Sequence, residues 1–351
     1  MTQALRPPAT LTTAPPDSGR GRRRAAYLRT VALYVVTLWA AITLTFLLPR
    51  FLPGDPLAAL NDPDSGTFVY DAQERDKVAA YYGLDRPLVS QYGSYLSSLA
   101  KGDFGWSISQ NAAVSTLLRN RLPWTLLLTG SALLLSSAVS FFAGLTAAWN
   151  RGRFADRALI AVLSVTRAIP EYAMASGLLI LFAVTYPLFP QAGAHEAFAT
   201  YSSRWDQVSD ILFHLALPLA ALTLGLLANK FLIVRNTAIA TLGEDYMLLA
   251  RAKGLSRRRL KYRHSGRNAL LPFVTALGIQ SAFALGGSVF VETIFAYPGM
   301  GTLLERAVFA RDYPLLQGYF VVIAVVVLVA NLLTELTYTK LDPRVGRRVG
   351  G

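Results

Sequence analysis

Cysteine is absent from this 351-residue chain and charge is scarce: 16% of the residues are Asp, Glu, Lys or Arg, against 53% hydrophobic. Without thiols there is no disulfide framework, no thiolate metal site and no cysteine nucleophile, and redox chemistry says nothing about the compartment. Only three histidines occur, His195, His214 and His264, each on a different segment, and they read as loop or interface residues rather than ligands. His195-Glu196 lacks the second histidine of a zinc-protease helix, and no Gly-Lys-Ser/Thr phosphate loop is present. No catalytic residue, cofactor site or metal site is therefore expected. Soluble domains typically carry about a quarter charged residues, so this composition points to a polytopic membrane protein. The net charge of +13 would suggest nucleic acid on a soluble protein. Here the basic residues cluster between apolar runs, so membrane topology accounts for them and no nucleic-acid partner is expected.

Six apolar runs reach the roughly 20 residues a span needs. They are Val31–Leu48, Trp124–Trp149, Ala158–Phe189, Ile211–Val234, Pro272–Phe295 and Pro314–Tyr338. A signal peptide competes for the first, which basic residues precede, but the run is long and Pro49, Arg50 and Phe51 follow it instead of a small-residue cleavage site. The third run has 32 residues, about 48 Å as one helix against a hydrocarbon core of about 30 Å. Pro170 divides or kinks it, leaving either an interfacial helix plus a span or one strongly tilted span. The expected organisation is a disordered basic tail over 1–29 and a first transmembrane helix over 30–50. An external loop region over 51–121, a five-helix core over 122–340 and a tail over 341–351 follow. Within the loop region Asp71 with Glu74 caps a helix ending at Gly83, and Arg86-Pro87 starts another that stops before Gly102.

Orientation follows from Lys and Arg. With the N-terminus inside, the cytoplasmic segments hold 22 of them and the external segments 9, so both termini are expected in the cytoplasm. The richest segment is Thr241–Pro272, within the loop 235–271. Nine Lys or Arg lie between Arg235 and Arg267, against two acids. Thr241 and Glu244 read as a capping box that starts a helix, which Gly254 is placed to end. Ser256 caps a second helix through Leu260 and His264, and Pro272 opens the next run. Charge alone fits a basic inside loop that also attracts anionic membrane lipid; the capping and patterning suggest a docking element.

Ionisable groups inside the apolar runs are costly and usually functional. Arg167 and Glu171 are four residues apart, the spacing of a pair on one helix face, around Pro170. Glu292 lies near the external end of the fifth run. Arg167, Pro170, Glu171 and Glu292 are thus the candidates for a pathway or gate, with a structural ion pair as the plainer reading of the first two charges. Glu335 and Lys340 lie near the inner end of the sixth run, where snorkelling is cheap.

Ala250-Arg251-Ala252-Lys253-Gly254-Leu255, then Arg263-His264, then Arg267-Asn268-Ala269-Leu270-Leu271-Pro272 closely resembles the cytoplasmic loop of type I ABC importer permeases of the dipeptide/oligopeptide/nickel branch, the B-type membrane subunit. Further matches occur in order. They are Leu52-Pro53-Gly54-Asp55-Pro56, Gly83-Leu84-Asp85-Arg86-Pro87-Leu88 and Gly102-Asp103-Phe104-Gly105 in the first half. Val291-Glu292-Thr293-Ile294-Phe295 with Tyr297-Pro298-Gly299-Met300-Gly301, Ala310-Arg311-Asp312-Tyr313-Pro314 and Leu341-Asp342-Pro343-Arg344 complete the set. Coverage runs from about residue 30 to 345. Where the broad loop signature begins Glu-Ala-Ala, this chain has Leu248-Leu249-Ala250.

The resemblance implies an all-α permease of six transmembrane helices in a prokaryotic plasma membrane. It also implies a second homologous permease subunit, two cytoplasmic ATPases that hold ATP and Mg, and an external solute-binding protein. The loop helix would dock into an ATPase groove through Met247, Leu249 and Ala250 as apolar anchors, with Arg251 and Lys253 at an acidic rim. Ala252, Gly254, Leu255 and Pro272 complete this coupling element. Peptides, nickel chelates and opine-like solutes all remain open as cargo. An ion-gradient-driven transporter working without ATPases is the alternative; it needs internal repeats, and none is visible between the first and last three spans.

Overall fold

The computed structural model describes residues 19–51, 86–107 and 109–341. Several expected features lie outside them: Leu52-Pro53-Gly54-Asp55-Pro56, the helix ending at Gly83, the start of the Gly83–Leu88 match, Asp342-Pro343-Arg344 and the first part of the basic tail. The described residues form α1 (Gly19–Phe51), α2 (Leu88–Ala100), a two-residue ribbon β1 (Trp106–Ser107) and β2 (Ala112–Ala113), α3 (Val114–Trp149) and α4 (Phe154–Ala168). Then come α5 (Glu171–Leu179) with a π-helical turn (Ile180–Thr185), α6 (Arg204–Leu242) and α7 (Asp245–Ala252). A π-helical segment (Arg259–Ser265) leads into α8 (Gly266–Ile294), followed by α9 (Met300–Phe309) and α10 (Tyr313–Leu341). Helix α1 begins at Gly19, so the last part of the tail expected to be disordered over 1–29 is helical and precedes the apolar span Leu28–Leu47.

Among the described residues five helices are long and apolar enough to cross a membrane, and the number is six when α4 and α5, bent by 100° at Ile169–Pro170, are counted together as one broken span. Pro170 causes the break. It has no N–H to continue the α4 ladder, and it forces Ile169 into an extended conformation with ψ of 123°. The long third run is therefore two helices and not one tilted rod.

The heaviest packing is α3 on α6. Thr125, Thr129, Ala132, Ser136, Ser140, Gly144 and Ala148 recur every three or four residues along α3, and all are buried. Lipid offers helices no hydrophobic reason to associate, so close approach of backbones over small residues supplies the packing energy. At Gly144 the approach is closest: a Cβ there would lie 2.8 Å from Cβ of Val234 and 3.0 Å from the carbonyl oxygen of Phe231. Ser140 adds an interhelical bond, its hydroxyl donating to the carbonyl of Leu227 at 2.9 Å. Helix α8 packs on α6 and α10, while α1 lies at the periphery against α10, where the Tyr34 hydroxyl donates to Glu335 at 3.3 Å.

At the end opposite the α7 hairpin, two of the sequence matches turn out to be joints. Asp312, buried, caps α10 by accepting the Leu315 N–H at 3.1 Å. Its other oxygen accepts from the Ser107 hydroxyl at 2.6 Å and from the N–H and hydroxyl of Ser109 at 2.9 and 2.8 Å. The Gly102–Gly105 segment, which Phe104 anchors in the α9–α10 core, is thereby tied to the start of α10.

Candidate coupling hairpin and membrane path

Thr241 does not cap α7. Helix α6 continues through it to Leu242, and the Thr241 hydroxyl donates back to the Thr237 carbonyl at 2.8 Å. Glu244 occupies the N-cap position, with Asp245 in the first turn. The capping-box spacing was satisfied by a threonine already committed to the preceding helix. At the other end the sequence reading holds. Gly254 has φ of +72°, its N–H donates to Arg251 O at 2.9 Å, and the Leu255 N–H reaches Ala250 O at 3.3 Å. These two bonds are a Schellman close, and Leu255 folds back on the apolar side of α7 as that motif requires.

The helix after Gly254 is not a separate element. Its first turns run through the Arg259–Ser265 π segment directly into α8, so the chain from the hairpin to Ile294 is one continuous rod. Pro272 lies inside α8, exposed, and does not start the span.

The two faces of α7 differ. Met247 and Ala250 are buried in a small core with Leu260, against which Trp149, Leu242 and Leu255 pack. They cannot serve as anchors for another protein, because this chain already covers them. The outward face carries Tyr246, Leu248 and Leu249, which are 42%, 58% and 56% exposed, together with exposed Arg251, Ala252 and Lys253. Leu248 and Tyr246 thus belong to the surface that Met247 and Ala250 were expected to supply. The hairpin is braced on three sides. Lys261 Nζ donates to the Thr146 hydroxyl of α3 at 2.9 Å, Ser265 donates to Ala238 O of α6 at 3.4 Å, and the Asn268 amide of α8 bonds the Tyr246 hydroxyl.

Arg167 and Glu171 do not pair. The 100° break falls between them, which removes the helical register that would have brought them together. Arg167 borders a cavity of about 170 Å³ with Ile160, Leu163, Ser164 and residues of α6. Glu171, half-buried, turns between α6 and α8 instead: a Cβ on Gly225 would come within 3.1 Å of its side chain, and one on Gly287 would overlap its carboxylate. Two glycines on different helices make the room this carboxylate occupies.

Glu292 is fully buried and offers no face to a path. Its carboxylate accepts from the Thr125 hydroxyl of α3 at 2.7 Å and from the Gly301 N–H at 2.5 Å, while Thr125 accepts the Met300 N–H at 2.7 Å. It therefore sits at the N-terminus of α9, where unpaired N–H groups favour an anion. A Cβ at Gly299 would overlap that carboxylate, and one at Gly301 would lie 2.8 Å from it. The Glu292 and Tyr297–Gly301 matches are thus one structural joint, which corrects the assignment of Glu292 to a gate.

Two charged features escaped the sequence reading. Lys230, in the middle of α6, is fully buried, with Nζ donating to Ser136 at 2.5 Å and Ser137 at 3.2 Å. Asp156 holds Arg235 through two bonds of 2.7 and 2.9 Å, tying the start of α4 to α6. Lys230 was visible as a lone cation inside an apolar run, but a tally of loop charges passes over it.

A multi-pass helical membrane protein, with a braced and exposed helix between two spans, is what this arrangement defines. Residues 140–347 match the family described as binding-protein-dependent transport system inner membrane component, and the chain belongs to it, as a type I ABC importer permease of the bacterial plasma membrane. The chain is 33% identical to the oligopeptide transport system permease protein AppB of Bacillus subtilis, over 92% of this chain and 99% of that one. It is 34% identical to the dipeptide transport system permease protein DppB of the same organism, over 88% and 94%. To the glutathione transport system permease protein GsiC of Escherichia coli K12 it is 32% identical, over 89% and 95%. Permeases of this family work with ATPase and substrate-binding partners.

Proposed function

We propose that this chain forms half of the translocation path of an ATP-driven importer for peptides or a related small solute, paired with a second, homologous permease. Two cytoplasmic ATPases, holding ATP and Mg, supply the work, and an external binding protein delivers cargo. The α7 hairpin and both termini lie in the cytoplasm in this reading, as the Lys and Arg balance favours. The names of the relatives support the cargo class.

One observation carries the coupling role: α7 is exposed on one face and packed on the other against Trp149 at the end of α3, Leu242 at the end of α6 and Leu260 at the start of the rod into α8. A push on Tyr246, Leu248 and Leu249 is therefore transmitted through this small core to three spans. Arg251 and Lys253 would meet an acidic rim of the ATPase groove. Glu171, at the break of the fourth and fifth helices, and Arg167 remain as contacts for a path, and Pro170 supplies the break.

The absence of cysteine makes the test direct. Leu249→Cys should form a cross-link to a cysteine placed in the ATPase groove, and Leu249→Glu should abolish uptake while the protein still reaches the membrane. Uptake by the purified chain alone without ATP, or normal uptake by Leu249→Glu, would overturn the reading in favour of a self-sufficient transporter.

A further inference from the structure

A pocket of about 720 Å³ opens beside the hairpin, lined by Phe142 of α3 and by Ser256, Arg258, Arg259, Tyr262 and Arg263. Positions 258, 259, 262 and 263 follow the spacing of a single helix face, so three guanidiniums converge on one wall. All three arginines are exposed, no acid lines the pocket, and none of the three forms an ion pair with a described residue. The opposite wall comes from the apolar part of α3, whose Phe142 ring meets the Tyr262 ring, on the arginine side, edge to face at 6.2 Å. Lys261 is turned away onto Thr146 and stands 5.0 Å from the Tyr262 ring centroid.

The two walls belong to different depths. Phe142 lies in the apolar run of α3, seven residues before Trp149, about 10 Å along the helix. The arginines lie in the polar segment beyond that run. Leading up to the pocket, Leu135, Val139 and Phe142 form an exposed apolar stripe on α3 at helical spacing, 43%, 44% and 56% exposed. A free anion would use the guanidiniums but not the stripe. A molecule with a phosphate head and hydrocarbon tails uses both.

We propose that this pocket holds the headgroup of an anionic phospholipid from the leaflet at the hairpin end, the inner leaflet in the orientation proposed above. The phosphodiester sits among Arg258, Arg259 and Arg263, whose forked donors match phosphate oxygens. An acyl chain lies along Leu135, Val139 and Phe142. Because the arginines stand on and beside the π segment that joins α7 to α8, the lipid braces the hairpin from its fourth side.

The test is native mass spectrometry of the full-length protein with equimolar phosphatidylglycerol and phosphatidylcholine, which needs neither ATPase nor uptake. The wild type is expected to retain phosphatidylglycerol selectively. Combined Arg258→Gln, Arg259→Gln and Arg263→Gln should weaken that lipid about a hundredfold, taking about 1 kcal/mol for each basic residue near an anionic surface. Phe142→Ala should weaken it less, and Arg267→Gln, outside the pocket, should leave it unchanged. These are exposed positions, so thermal unfolding should match the wild type. Equal retention of the two lipids, selectivity surviving the triple substitution, or full displacement of the lipid by millimolar inorganic phosphate would overturn the proposal. So would a triple variant that keeps lipid but no longer binds its ATPase, which would make the pocket a protein-docking site.

Discussion

Replacing Gly254 in turn by Asn, Ala and Val separates two jobs a glycine can do at the end of α7. The residue has φ of +72°, and a Cβ built there meets nothing within 4 Å. Within this chain the cost of a side chain is therefore conformational and not steric. An L-residue in the left-handed region costs roughly 1–2 kcal/mol; asparagine tolerates it best, and β-branched valine worst. The strain acts on two hydrogen bonds, Gly254 N–H to Arg251 O and Leu255 N–H to Ala250 O. Helix α7 has only eight residues, too few to hold itself by helix propagation, so its cap and its small core maintain it. The flanking spans are untouched, and each variant should insert normally. The penalty falls on the hairpin, lowering the ratio of capped to opened forms by roughly 5- to 30-fold for a loss of 1–2 kcal/mol. Hydrogen exchange over residues 245–255 should rise in the order Gly, Asn, Ala, Val, and ATP-dependent uptake in vesicles should fall in the same order. If asparagine and alanine both abolish uptake while exchange stays at the wild-type level, the glycine serves close contact with a partner, and the conformational account is refuted.

Three further outcomes follow from the packing. Gly301→Ala places a Cβ 2.6 Å from Val289 Cα and 2.8 Å from the Glu292 carboxylate; overpacking of this kind costs roughly 1–3 kcal/mol, read as a lower unfolding temperature in detergent. Asp312→Ala leaves the Ser107 hydroxyl, both Ser109 donors and the Leu315 N–H without their acceptor; a loss of roughly 2–4 kcal/mol is expected, with proteolysis appearing first near residues 102–110, and a wild-type melting profile would contradict the joint. Lys230→Met keeps the volume of a buried side chain and removes an ammonium that donates to two serine hydroxyls; stability should be unchanged or higher, whereas a drop of several degrees would mean that the charge itself holds α6 to α3.

The residues that cap α7 illustrate why some of this architecture was legible in advance. A glycine that needs φ above zero and a leucine one position later form a local pattern, complete within six residues, so Gly254 and Leu255 could be assigned from the chain alone. Thr241 shows the limit of the same logic: its spacing to Glu244 is correct, but α6 had enough packing against α3 to run on through it. Whether a local signal or the longer helix prevails is decided by burial, which the spacing does not contain.

Composition and the placement of apolar runs were enough to determine a polytopic helical protein and a basic segment between two spans, and to mark Pro170 as a break or a kink, because each depends on the cost of putting peptide and charge into hydrocarbon. What each polar side chain does was decided only by tertiary structure. Glu292 meets Thr125 across 167 positions, Asp312 meets Ser107 across 205, and Glu171 fits where two glycines of other helices leave space. A carboxylate in an apolar run must find a partner, but the partner comes from whichever helix packs beside it, and in this chain the bare stripe of small residues on α3 sets that arrangement. For the same reason Met247 and Ala250 turned inward and left Leu248 and Leu249 outside: the end of α3, the end of α6 and the π segment ahead of α8 cover one face of the short helix.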